Sequence, residues 1–139
     1  MRGRIGLYCA TLVAFLVMDA VWLSLTSAPL YRATLGGILL AGFKPVPALA
    51  VYLLEVLGLM VFVMPRARAS GRASSALGYG ALFGMFTYGL YDLTNDATLQ
   101  HWTLELTLID MAWGAVVCGV ASTIGWLVAG RFSRQRLFT

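Results

Sequence analysis

The chain contains four separate apolar runs, each about as long as a helix must be to cross a lipid bilayer. They cover about residues 5–25, 46–64, 73–91 and 104–128. The hydrocarbon core of a bilayer is about 30 Å thick, which about 20 helical residues span. Because 60% of the 139 residues are hydrophobic and only 12% are charged, a water-soluble domain is excluded. We therefore predict one transmembrane domain over residues 1–139, an all-α integral membrane four-helix bundle.

Prolines mark the limits of the second run. Pro45 and Pro47 lie at its start, where proline is tolerated, and Pro65 lies where we expect the helix to end. Between the first and second runs, residues 30–43 are apolar and glycine-rich but too few to cross the membrane. We expect this stretch to lie in the membrane interface or to cap a cavity.

The positions of lysine and arginine predict how the bundle is oriented. Eight of the ten basic residues fall before the first run, between the second and third, or after the fourth: Arg2, Arg4, Arg66, Arg68, Arg72, Arg131, Arg134 and Arg136. Only Arg32 and Lys44 fall on the other side. Both termini are therefore predicted to be cytoplasmic. The last basic group is expected to anchor in anionic lipid, so the predicted partner is the lipid bilayer, with no nucleic acid.

Three carboxylates interrupt the apolar runs, namely Asp19, Glu55 and Asp110. On insertion scales each charged side chain at a helix centre costs about 2.5–3.5 kcal/mol when it faces lipid. They are therefore expected to point into the bundle. Counted along their helices, Asp19 and Asp110 lie at a similar depth in the outer half.

Other polar and aromatic residues fall on the same predicted faces. Tyr88, Asp92 and Asn95 follow one another at helical spacing if the third helix continues that far. The predicted binding pocket consists of Asp19, Trp22, Glu55, Tyr88, Asp92, Asn95, Asp110 and Trp113, with Tyr52 beside it. Because neighbouring carboxylates at low dielectric cannot all be ionised, at least one is expected to hold a proton.

Two glycines on the third run, Gly80 and Gly84, form a Gly-x-x-x-Gly pair. Such a pair lets another helix approach closely, so we assign these residues to helix packing. Four helices enclose only a narrow pore. A homo-oligomer, formed through this glycine-rich helix, is therefore expected if the protein is a permease.

The sequence predicts no metal site and indicates no particular cofactor. His101 is the only histidine, which excludes the histidine-rich metal cages of membrane oxygenases. Asp92, Asn95 and Asp96 offer the oxygen ligands of a hard cation, but only as a weak pattern. No nucleophile motif of a hydrolase is present. An enzyme built on this chain would depend on carboxylates and tyrosines as general acids and bases.

Three functions remain open at this point. The first is binding or transport of a proton, a cation or a small solute in an outward-facing carboxylate pocket. The second is a membrane enzyme or accessory factor in lipid modification, with Asp92, Asp110 and Tyr88 as acid and base. The third is a scaffold in which the carboxyl groups only join helices.

A loop motif also links the chain to a family. The string Asp92-Leu-Thr-Asn-Asp-Ala-Thr-Leu99, followed by Trp102 and by Asp110-Met-Ala-Trp113, resembles the signature of small four-helix bacterial membrane proteins that are catalogued as a domain of unknown function. The resemblance extends back to Asp19 and Trp22. It implies a multi-pass protein of the bacterial inner membrane and transfers no activity.

Overall fold

A computed structural model describes residues 2–135 and the side chains of residues 4–130. All regular secondary structure in this range is helical, so the predicted all-α class is confirmed. The α-helices are α1 (Arg2–Thr26), α2 (Ala33–Leu35), α3 (Pro45–Gly58), α4 (Met64–Ser70), α5 (Ala73–Thr98) and α6 (Leu104–Gln135). The basic anchor predicted at Arg131 to Arg136 lies outside the residues whose side chains are described.

Two wide helical turns join these helices into longer segments. A π-helical turn at Ser27–Arg32 carries α1 into α2, and another at Leu59–Val63 carries α3 into α4. The expectation that Pro65 ends the second helix is therefore wrong, because the helix continues to Ser70. A proline ring normally clashes with the carbonyl four residues earlier, and the wider turn before Pro65 relieves this clash.

Three stretches of the described residues are long and apolar enough to cross a membrane: Arg4–Ile38, Pro45–Ser70 and Leu104–Gly130. Their outer faces carry large apolar side chains. On α1, for example, Val13, Val17 and Val21 recur every four residues and are each more than half exposed. α5 is equally long but falls outside this group because its glycines, threonines and acidic residues lower its hydropathy. A helical membrane bundle accounts for both observations.

α5 packs closely against α6 through its glycine face. A Cβ atom at Gly80 would lie 2.7 Å from the carbonyl oxygen of Cys118, and one at Gly84 would overlap the carbonyl group of Gly114. Both glycines therefore contact α6 of the same chain, and this face is already covered without a second copy. The close approach also sets the position of Tyr88 relative to α6, because its ring lies against Gly114.

The apolar core lies between α1, α6 and the second helical segment. It contains the buried side chains of Phe15, Val56, Leu59, Val63, Val117, Cys118 and Ala121. A smaller cluster of Leu35, Trp102 and Leu106 holds the segment after α1 against the start of α6, with Leu30 and Tyr31 packed on it. This second cluster places Tyr31 above the interior of the bundle.

Candidate functional site

A cavity of about 430 Å³ lies between α1, α3, α5 and α6. Three of its lining side chains are carboxylates, six are aromatic and the others are Leu23, Val51 and Thr87. The carboxylates are Asp19, Glu55 and Asp110, and the aromatic residues are Phe15, Trp22, Tyr31, Tyr52, Tyr88 and Tyr91. This volume falls within the range of about 300–1,000 Å³ that is usual for small-molecule sites.

Asp19 lies on the α1 wall of the cavity and is only 7% exposed. The Tyr52 hydroxyl donates a hydrogen bond of 2.6 Å to its Oδ2 atom, and the Trp113 indole donates one of 3.0 Å to its Oδ1 atom. These donors come from α3 and α6, so one carboxyl group joins three helices. A buried carboxylate needs such donors because isolated burial of a charge is very costly.

Asp110 lies on the α6 wall and is equally buried. It accepts a hydrogen bond of 2.5 Å from the Tyr31 hydroxyl, which in turn accepts one of 3.2 Å from the Trp22 indole. The Trp22 ring stacks on Trp113, with ring centroids 4.6 Å apart and an interplanar angle of 5°. The two tryptophans thus connect the hydrogen-bond groups around Asp19 and Asp110.

Glu55 closes the cavity on the side nearer the core. Its Oε1 atom accepts a hydrogen bond of 2.7 Å from the Thr87 hydroxyl and a longer contact of 3.3 Å from the Cys118 thiol. Its Oε2 atom accepts no hydrogen bond from the described residues. One carboxyl oxygen of Glu55 is therefore available to a ligand in the cavity.

Asp92 lies behind the cavity, next to Asp110. Its side chain is fully buried, and neither of its oxygen atoms has a donor among the described residues. The carboxyl groups of Asp92 and Asp110 lie close enough to interact with each other. Two carboxylates can only accept, so this pair is satisfied when one proton is shared between them.

The cavity is partly open to the exterior, and we assign its opening to the gap between α3 and α5. These two helices make few direct contacts, and α5 instead packs on Leu59–Val63 and α4 further along the second segment. The hydrogen bond between Glu55 and Thr87 bridges the two helices at the end of the gap. At its mouth lie Leu23, Val51 and Tyr91, which are 38%, 56% and 61% exposed. The opening therefore has an apolar rim.

The residues that the sequence nominated fall into two groups. Asp19, Trp22, Glu55, Tyr88 and Asp110 line the cavity. The other three nominated residues do not line it. Trp113 and Asp92 lie behind the cavity, next to lining carboxyls. The buried amide nitrogen of Asn95 has no hydrogen-bond partner among the described residues.

Sequence reasoning missed six of the twelve lining residues, and two of these six, Tyr31 and Thr87, donate a hydrogen bond to a carboxyl group. Tyr31 falls in the connection after the first run, where no helical periodicity indicates a facing direction. The only signal was that this stretch was expected to cap a cavity. Thr87 sits inside a helix, where a threonine usually bonds its own backbone, as Thr87 also does with Gly84.

The lining carries negative but no positive groups among the described residues. The carboxyls are nevertheless spread over separate walls, and no three acidic, cysteine or histidine side chains of the described residues come together as metal ligands. The arrangement suits a ligand that contacts several walls at once. It does not suit a compact hard cation, which needs six or more oxygen ligands around one point.

Comparison with known proteins places the chain in a family. The family model described as "Predicted membrane protein (DUF2177)" matches residues 4–127, a range that reaches from the start of α1 almost to the end of α6. No curated protein and no solved structure matches the chain. The structure places the string from Asp92 in the last turns of α5, not in a loop. The resemblance that this string carries is confirmed at the level of the family. The chain belongs to this family of predicted membrane proteins.

Proposed function

We propose that all four helical segments cross a bacterial inner membrane, with both termini in the cytoplasm. The 26 residues of α5 extend about 39 Å, enough to span the hydrocarbon core even though the helix is less apolar than the others. α6 covers the glycine face of α5, so this face does not contact lipid and needs no large apolar side chains. On this topology the cavity belongs to the outer half of the bundle.

We propose further that this cavity binds a small cationic or polar solute in exchange for a proton. The observation that carries this proposal is three carboxylates in one cavity, with no basic lining residue in the described part of the chain. Fixed negative charge inside low-dielectric walls favours a positively charged or hydrogen-bond-donating ligand. The site residues proposed are those lining the cavity, with Asp92 and Trp113 supporting them.

The proton is assigned to the pair formed by Asp92 and Asp110. A cation bound beside Asp110 stabilises its ionised form, so the shared proton is released as the solute binds. By linkage, the same coupling weakens solute binding as the pH falls. Solute and proton are therefore expected to compete.

Reconstitution in proteoliposomes tests this function. With a panel of cations and small polar solutes on one side, wild-type protein is expected to couple solute uptake to outward proton movement. Asp19→Asn and Asp110→Asn are expected to abolish the coupling, whereas Glu105→Gln, which changes an exposed carboxylate at the start of α6, is not. Absence of flux and of binding for every solute in the wild type would refute the proposal.

A role in lipid modification is the second candidate, and the side opening between α3 and α5 favours it. Through such an opening a lipid headgroup reaches the carboxyls without leaving the membrane. Comparing the lipid composition of deletion and overexpression strains distinguishes the two functions. An unchanged lipid profile removes this candidate.

A further inference from the structure

We propose that the ligand of the cavity is a lipophilic organic cation, an ammonium or other onium ion with apolar substituents, which enters from the membrane through the gap between α3 and α5. This inference rests on the proposed function and adds to it the chemical class of the solute and its route. Three properties of the cavity carry it: its aromatic walls, the state of its carboxyls and the nature of its mouth.

The walls are built to hold a diffuse positive charge. Six of the twelve lining residues are aromatic, and they come from α1, from the segment after it, and from α3 and α5. An organic cation over an aromatic ring is attracted to the ring's negative face, most strongly over tryptophan. Trp22 is held rigidly for this role by its stack on Trp113 and its hydrogen bond to Tyr31.

The carboxyls supply charge with few free acceptor sites. Both oxygens of Asp19 already accept hydrogen bonds, and so does one oxygen each of Glu55 and Asp110. A hydrated metal ion or a polar ammonium needs many acceptors in exchange for its water. A cation with apolar substituents needs negative charge nearby but few hydrogen-bond acceptors, and this lining provides that combination.

The route follows from the rim. Leu23, Val51 and Tyr91 are exposed on the outside of the bundle and also line the cavity, so an apolar surface leads from the exterior to the carboxyls. No basic residue lies at this mouth among the described residues. Because the neighbouring exposed side chains of α3 and α5 are large and apolar, the mouth is expected to face lipid.

The test uses the full chain in lipid nanodiscs and tetraphenylphosphonium as the probe. Tetraphenylborate has the same shape and opposite charge, and tetramethylammonium and potassium are hydrophilic cations. After binding to empty nanodiscs is subtracted, we expect tetraphenylphosphonium to bind the chain at least about tenfold more tightly than any of these three. Glu55→Gln is expected to weaken its binding about tenfold or more, and Glu105→Gln is expected to leave it unchanged.

Two further measurements complete the test. The first uses the wild type, so it does not depend on whether Glu55→Gln folds, and the second tests the route of entry. In the wild type, tetraphenylphosphonium is expected to protect Glu55 from modification by dicyclohexylcarbodiimide. Val51→Trp is expected to slow association several-fold, whereas Val61→Trp, at a position of similar exposure (54% against 56%) on the same helical segment, is not.

The outcomes separate this inference from the proposed function. If tetramethylammonium or potassium binds as tightly as the phosphonium and protects Glu55, a cation site exists but the lipophilic class is overturned. Equal binding of tetraphenylborate shows mere partition into apolar surface and overturns it as well. If no cation binds or protects Glu55, this inference is overturned, whereas the proposed function is refuted only if the polar solutes of the proteoliposome assay fail as well. If Val51→Trp and Val61→Trp associate at the same rate, entry between α3 and α5 is refuted.

Discussion

Replacement of Gly84 by alanine tests the close approach of α5 and α6, on which the geometry of the cavity depends. The added Cβ atom would lie 2.6 Å from the carbonyl carbon of Gly114 and 2.8 Å from the Cβ atom of Cys118. Carbon atoms in good contact are about 3.5–4.0 Å apart, so the helices must separate by about 1 Å. Overpacking of this kind costs about 1–3 kcal/mol.

Gly78 provides the matched control on the same helix. It is exposed, and a Cβ atom there would meet nothing within 4 Å. Gly78→Ala is therefore expected to stabilise the helix by about 0.5–1 kcal/mol through reduced chain entropy. The two alanine variants are expected to differ by roughly 1.5–4 kcal/mol in unfolding free energy, or roughly 5–15 °C in melting temperature.

Cys118 supplies the assay, because it is buried at this same contact while Cys9 is exposed. In a Cys9→Ser background, a thiol-reactive fluorophore reports the separation of α5 from α6 as the protein is heated in detergent. Gly84→Ala is expected to react at the lower temperature. If the Gly84 and Gly78 variants melt together, the helices are not in this contact, and the placement of Tyr88 and Asp92 is wrong.

Three other substitutions follow from the hydrogen bonds, with the same thiol assay as the stability measurement. Tyr31→Phe removes the donor to Asp110 and is expected to destabilise the protein by about 1–3 kcal/mol; unchanged melting would show that this bond is absent. Trp113→Phe keeps an aromatic ring but removes a donor to Asp19, with an expected loss of about 1–2 kcal/mol. Asp92→Asn gives Asp110 an amide donor and is expected to retain the fold while abolishing proton release when tetraphenylphosphonium binds, as measured with a pH indicator in weak buffer. Retained release would place the proton elsewhere.

The helices and the inward direction of the carboxyls could be predicted from the sequence, because the alternatives expose polar or charged groups to lipid at a high cost in free energy. Charged groups are too costly in lipid to face outward, so Asp19, Glu55 and Asp110 were expected to face the interior, and all three line one cavity. The cost of exposing a charge to lipid does not, however, predict which side chains donate hydrogen bonds to these carboxyls. That Asp19 accepts from Tyr52 and Trp113 depends on the relative rotation of three helices, which hydropathy does not determine.

The features that escaped sequence reasoning are those set by local backbone irregularity or tertiary contact. Pro65 is a reliable helix stop only in a regular α-helix, and the π-helical turn before it removes the clash. Tyr31 acquires its position from the packing of Leu35 on Trp102 and Leu106, which lie far along the chain. Gly80 and Gly84 were assigned to helix packing, and in the structure both contact α6. Periodicity alone does not say whether the partner helix is α6 or a second copy.

The donors that hold the carboxyls also bear on whether the site is more than a joint between helices. A scaffold needs the cross-helix bonds from Tyr52 to Asp19, from Tyr31 to Asp110 and from Thr87 to Glu55, and these alone link all four helical segments. A scaffold does not need a cavity beside these bonds. The bonds leave a volume of about 430 Å³ beside the carboxyls, and the scaffold role makes no use of it. The proposed ligand binding uses both, because the bonds fix the charges in place and leave the space between them for the solute.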